Sequence, residues 1–217
     1  MNMKSILPFL FVLTLATPNQ AQNTEVDFSS SALLTRLNFH YGGQIKTDSD
    51  ESYDNTGSNF AIGLTSSIGK HWYLRTELGY VSNNSFILAS YSFDEGFGRG
   101  SARIASYLNN EKIYLGVFPE YRKHIYESTL SIHGGPFLAR DISNTFTSAN
   151  EILLPKSRLL GLRLNGSLII GQKKIRVKLN VGHTWFGKSR LFNRHHPYVS
   201  YNSFNFGLGL IYVMGKI

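Results

Sequence analysis

Ser131 and His133 stand two residues apart, with Glu120 a short distance upstream. A hydroxyl, an imidazole and a carboxylate are the parts of a nucleophile, base and orienter. On a strand, residues two apart share a face, so a Ser-x-His pair arises readily by chance. The chain has no Gly-x-Ser-x-Gly elbow. The expectation is therefore a protein that is not an enzyme. Asp48, Asp50, Glu51 and Asp54 crowd one segment, yet they lack the alternating ligands, central Gly and distal Glu of a calcium loop. His195 and His196 have no Cys or carboxylate at ligand spacing. Zero Cys excludes disulfides, thiolate nucleophiles and Cys-ligated metals. No cofactor or metal is expected.

A larger set of ionisable residues recurs with a period of two: Arg36, Arg75, Glu77, Glu120, Arg122, Arg163, Arg176 and Lys178. Each lies in a run whose opposite parity is apolar. Leu33, Thr35, Leu37, Phe39 and Tyr41 oppose Arg36 and Asn38. Phe60, Ile62 and Leu64 oppose Ala61, Gly63 and Thr65, and Trp72, Leu74, Leu78 and Tyr80 oppose Tyr73, Arg75, Glu77 and Gly79. Ile113, Leu115, Val117, Pro119 and Tyr121 oppose Tyr114, Gly116, Glu120 and Arg122. Leu130, Ile132 and Leu138 oppose Ser131, His133 and Gly135. Three further runs, 160–170, 175–185 and 204–212, follow the same rule. Strict alternation is the mark of strands with two different faces, and eight such strands are predicted.

The connections alternate in length. Short ones (69–71, 123–126 and 171–174) exchange with long polar ones (43–58, 82–111, 140–157 and 187–197). Tight turns on one rim and long loops on the other describe a transmembrane β-barrel. The polar parity is also the Gly-rich parity, which suits a narrow lumen. Tyr41, Trp72, Tyr80, Tyr121, Trp185 and Tyr212 stand near strand ends on the apolar parity, as in an interfacial girdle. The predicted fold is an all-β, antiparallel, up-and-down transmembrane barrel of eight strands. Segments 86–93 and 102–108 also read as strands; they form either an extended hairpin above the membrane, the favoured reading, or two more wall strands in a ten-stranded barrel.

The eight charges would then project into a lumen wide enough only for side chains, forming an interlocked plug. Six cations against two carboxylates leave an excess, to be met by ordered water, anions or loop carboxylates.

Composition fits this picture. Of 217 residues 42% are hydrophobic, 13% aromatic and 17% charged, which excludes a disordered chain. Residues 1–21 read as a secretory signal peptide, with Lys4, the apolar stretch 6–16 and a polar exit ending at Ala21. Residues 22–217 form the barrel domain. The formal charge of +8 falls to +7 without Lys4. An exported chain with Lys and Arg dispersed along strands lacks a nucleic-acid-binding stripe. Lys188, Arg190 and Arg194 in the last long loop, and Lys173 and Lys174 at the opposite rim, are placed to meet lipopolysaccharide or lipid phosphates. The expected setting is the bacterial outer membrane, with the chain a monomer.

The run Ile113-Tyr114-Leu115-Gly116-Val117-Phe118-Pro119-Glu120-Tyr121, followed by Leu130-Ser131-Ile132-His133-Gly134-Gly135-Pro136-Phe137-Leu138, resembles the PorT-like family of small outer-membrane β-barrels. In that family a proline-containing fourth strand precedes a strand with an Ala/Gly-Gly-Pro signature. Gly116 stands where an acidic residue is frequent. The last run, with Asn205, Gly207, Leu210 and Tyr212, is similar to a barrel-assembly signal. The resemblance implies a small outer-membrane barrel and, since some members serve secretion, envelope or secretion proteins as possible partners. From the residues themselves the expected role is structural or a surface interaction through the loops 43–58 and 82–111. An accessory part of a secretion machine is the second reading, and a lipid-modifying barrel enzyme the third.

Overall fold

The computed structural model describes residues 24–41, 44–46, 55–95, 98–147, 151–153, 156, 158–171, 174–190 and 198–214; side chains at 36–41, 44–46, 55, 86–95, 98–106, 146, 151–153, 188–190 and 198–201 lie outside the description. The expected signal peptide, the acidic segment 48–54, Lys173, Arg194, His195 and His196 fall outside it too, as do the side chains of Tyr41, Lys188 and Arg190.

The elements are β1 (Thr24–Tyr41), β2 (Gln44–Lys46), β3 (Asn55–Ser67), β4 (Trp72–Glu95), β5 (Gly98–Ile125), β6 (Ser128–Thr147), β7 (Glu151–Leu153), β8 (Arg158–Ile170), β9 (Ile175–Arg190) and β10 (Tyr198–Met214). Eight of them, all but the three-residue β2 and β7, form an antiparallel wall in chain order. The wall closes where β10 pairs with β1, from Thr24 opposite Met214 to His40 opposite Tyr198. Closure leaves the wall without an unpaired edge, the condition for strands in hydrocarbon.

The register fixes the shape. One circuit of partners runs Asp27, Gly63, Glu77, Gly116, Phe137, Gly161, Phe186, Tyr201 and then Leu37, ten residues beyond the start. A stagger of ten over eight strands tilts them by roughly 40° and leaves an interior that side chains fill. That circuit alternates large residues with glycine for a steric reason. A Cβ at Gly63 would strike the Arg75 guanidinium, at Gly116 the Phe118 ring, and at Gly161 the Phe137 ring. The glycines of the inward parity are thus the spaces into which neighbouring long side chains fold.

The outward parity is apolar and exposed: Leu160 is 65% exposed, Leu34 63% and Leu208 61%. Phe28, Phe60, Ile62, Leu78, Leu138, Leu162 and Phe206 continue the belt around the wall. A continuous apolar surface on this scale has no place in water. Among the described aromatics, Trp72 and Tyr121 are register partners beside the short-turn rim, in edge-to-face contact at 5.4 Å. Tyr212, opposite Ile175 at the start of β9, joins them. Tyr80 and Trp185 lie toward the other end. Trp72 and Tyr80 are eight residues apart, roughly 26 Å along a strand, and the tilt reduces this to roughly 20 Å across the membrane, close to the apolar band of outer-membrane barrels.

Seven strands present the predicted faces; β1 is inverted. Leu33 is 3% exposed and Thr35 is buried, while Leu34 faces outward. The strand begins nine residues before Leu33, at Thr24, where Val26 and Phe28 alternate with Glu25 and Asp27, and this longer pattern sets the register. Arg36 accordingly falls on the parity of Leu34 rather than of the lumen residues; its side chain lies outside the description.

Three short connections share one rim. Ile68 N and Gly69 N both donate to Trp72 O, at 3.0 and 3.1 Å, in the β3–β4 turn. Two residues join β5 to β6, with Tyr126 at φ 52°, and Gly171 at φ 110° opens the β8–β9 turn. At the other rim the segment 82–111 is ribbon rather than loop: β4 and β5 pair from Trp72 opposite Tyr121 up to Glu95 opposite Gly98. The extended hairpin is therefore the observed form, and the ten-stranded wall is not. The segment 140–157 is likewise partly strand, β6 running to Thr147 and β7 pairing back on it. The β5–β6 ladder breaks between Gly116 opposite Phe137 and Glu120 opposite His133. Pro119 and Pro136, which have no N–H to donate, and Gly135 at φ 152° occupy this gap.

Candidate functional site

The lumen is built in storeys. Nearest the short-turn rim, Arg122 Nη1 donates to Glu25 Oε2 at 2.6 Å and Arg122 Nε to Glu120 Oε1 at 2.8 Å. Arg176 Nη1 donates to the other Glu25 oxygen at 3.1 Å. The Arg122 guanidinium lies 4.3 Å from the Tyr73 ring centre, adding a cation–π contact.

Above it, Arg75 is shared between two carboxylates. Its Nη2 donates to Asp27 Oδ1 at 2.8 Å and to Glu77 Oε2 at 2.7 Å, its Nε to the same Glu77 oxygen at 2.8 Å, and its Nη1 also bonds Asp27. Lys178 Nζ stands 3.5 Å from Asp27 Oδ2. The second Glu77 oxygen accepts from Tyr114 Oη at 2.6 Å and pairs with Arg163 Nη1. That Arg163 nitrogen also donates to Tyr114 Oη at 2.7 Å, and its guanidinium lies 4.4 Å from the Tyr114 ring.

The upper lumen changes character. Leu33, Val81, Leu108, Tyr114, Phe137, Leu159 and Phe186 form one buried cluster, which Phe118, opposite Arg75 in the register, extends downward. Phe137 stacks edge-to-face with Tyr114 at 5.5 Å and with Phe186 at 5.4 Å. Beyond these rings Lys112 Nζ donates to Asp141 Oδ1 at 2.7 Å and also bonds Asn110.

Of the eight predicted lumen charges, Arg75, Glu77, Glu120, Arg122, Arg163 and Lys178 are buried inside the wall, and Arg176 lies at its lower edge, 21% exposed. Four members were missed: Glu25, Asp27, Lys112 and Asp141. The first two answer the cation excess from the wall itself rather than from loops. Among the described groups, six cations (Arg75, Lys112, Arg122, Arg163, Arg176, Lys178) face five carboxylates (Glu25, Asp27, Glu77, Glu120, Asp141). The alternation of Glu25 and Asp27 with Val26 and Phe28 was the available signal.

Ser131, His133 and Glu120 are all buried on the lumen side, with Glu120 opposite His133 in the register. They do not bond one another: Ser131 Oγ, His133 Nδ1 and Glu120 Oε2 have no hydrogen-bond partner, and His133 Nε2 lies 3.4 Å from Asn165 Nδ2. Among the described residues no group of three or more His, Asp or Glu is arranged for a metal.

A closed antiparallel barrel, apolar outside between two aromatic levels and ionised within, is the architecture of an integral outer-membrane β-barrel protein. Solved structures of that class are similar to this chain. The outer membrane protease OmpT of Escherichia coli shares 10% identity over 89% of this chain and 97% of its own, with a TM-score of 0.53. A major outer membrane protein from Thermus thermophilus shares 12% identity over 88% of this chain and 99% of its own, with a TM-score of 0.50. At these identities the likeness is one of fold. No protein-family profile and no curated protein matches the chain, so the PorT-like resemblance stands on its motifs alone.

Proposed function

We propose that this protein is a non-enzymatic barrel of the bacterial outer membrane whose lumen is plugged and whose work is done at its long-loop end, as structural support or by surface interaction. The observation that carries the reading is the lumen itself. Ion-paired storeys in the lower half and a ring cluster above them oppose any continuous aqueous path, and such charges are held by geometry too costly to break one at a time. The hairpin of β4 and β5, rising beyond Asn84 and Asn109, is the longest paired ribbon among the described residues at that end. What supports the absence of an enzyme is that Ser131, His133 and Glu120 make no mutual bond and are sealed behind the wall. Exchange of 43–54 and 86–106, the parts of these segments beyond the wall, for short Gly-Ser turns tests the surface role. The barrel should keep its heat-modifiable gel mobility while surface binding by expressing cells is lost; unchanged binding contradicts the reading.

A second reading, an accessory component of a secretion machine, is favoured by the PorT-like segments 113–121 and 130–138. Deletion of the gene would then block export of other proteins.

A further inference from the structure

The belt is notched at Gly166. On the lipid-facing row that crosses β5, β6, β8 and β9, Tyr121, Ile132 and Val181 project outward and Gly166 stands between the last two. A Cβ at Gly166 would meet nothing nearer than Val181, at 3.9 Å. A groove of about 570 Å³ opens there, floored by Leu130, Leu168 and Leu179, and Lys123 lines its end toward the short-turn rim. Through Leu130 and Leu168 it continues into a second concavity at the turn of residues 125–128. From Gly166 to Ile170 on β8 the track is four residues, roughly 13 Å at the rise of a strand, the length of much of one acyl chain.

We propose that this groove holds one anionic glycerophospholipid of the leaflet at the short-turn rim, an acyl chain lying along Leu168 to Gly166 and the phosphate on Lys123. The charge at that rim matches. Lys70, Lys123 and Lys174 are exposed there against the single carboxylate Glu127, among the described residues, and Lys123 stands two residues beyond the girdle residue Tyr121 toward the rim, on the headgroup side of the Trp72–Tyr121 pair. A basic side chain at the membrane surface favours an anionic headgroup, whereas an unbroken belt of Leu and Ile would be covered by any chain without preference. Lipopolysaccharide occupies the opposite leaflet and would meet the long-loop end instead.

Native mass spectrometry of the folded full chain, released from nanodiscs of mixed phosphatidylglycerol and phosphatidylcholine, tests this. The unaltered protein should retain one phosphatidylglycerol. Gly166→Leu, which the open space accommodates, should abolish retention while keeping heat-modifiable mobility, and Lys123→Gln should lower phosphatidylglycerol retention roughly fivefold without changing that of phosphatidylcholine. Equal retention by Gly166→Leu, no headgroup preference in the unaltered protein, or preferential capture of added lipopolysaccharide would overturn the assignment.

Discussion

Glu77 accepts bonds from Arg75 and Tyr114 and pairs with Arg163, so three buried groups depend on one carboxylate. Removing a partner from such a set leaves uncompensated charge in a medium that cannot solvate it. Glu77→Ala should destabilise the folded protein by about 3–5 kcal/mol, read as a shift in urea unfolding from lipid vesicles. Arg176→Ala, at the partly wet lower edge, should cost no more than about 1 kcal/mol; equal losses for the two would contradict the interlocked arrangement. Steric complementarity acts at the same scale. Gly161→Val places methyls where the Phe137 ring lies, and overpacking of this kind costs about 1–3 kcal/mol, visible as a lower temperature for loss of heat-modifiable mobility. The individual charges were legible because they break an otherwise apolar or glycine rhythm. Their pairing was not, since Asp27 and Arg75 are brought together by a register that no local pattern encodes.

At the scale of elements, the alternation of apolar and polar parity identified all eight wall strands and the correct faces of seven. It failed on β1, where Ala32, Leu33 and Leu34 are adjacent and either parity can be taken as apolar. Only the preceding Glu25 to Phe28 stretch decides between them. Cysteine scanning checks the outcome: Leu34→Cys should react with a membrane-dissolved maleimide and Leu33→Cys should not. Lengths were less legible than faces, because strands that rise above a bilayer lose the requirement for apolar alternation while their ladder continues. The belt itself makes a separate prediction. Leu208, outward on β10 in the middle of the band, should lose about 2–4 kcal/mol of stability as Leu208→Arg, measured by the same unfolding assay.

Taken whole, the molecule inverts the arrangement of a soluble domain. Its apolar residues divide between an outer belt, one ring cluster in the upper lumen and the inward Ile169, Ile211 and Val213 near the short-turn rim, and its charges are gathered along the axis. The ring cluster was the least legible feature. Leu33, Phe137 and Phe186 are scattered over three strands, and as inward residues they read as exceptions to a polar parity until the stagger brings them to adjoining levels. Their position between the Glu77 storey and the Lys112–Asp141 pair means that a water path would have to pass the rings as well as the ion pairs. The central claim is therefore that the barrel spans the membrane without conducting through it. Single-channel recording of the purified protein in a planar bilayer tests that claim most directly. The account predicts a baseline without conductance steps at either polarity, and reproducible steps from the unaltered protein would contradict it.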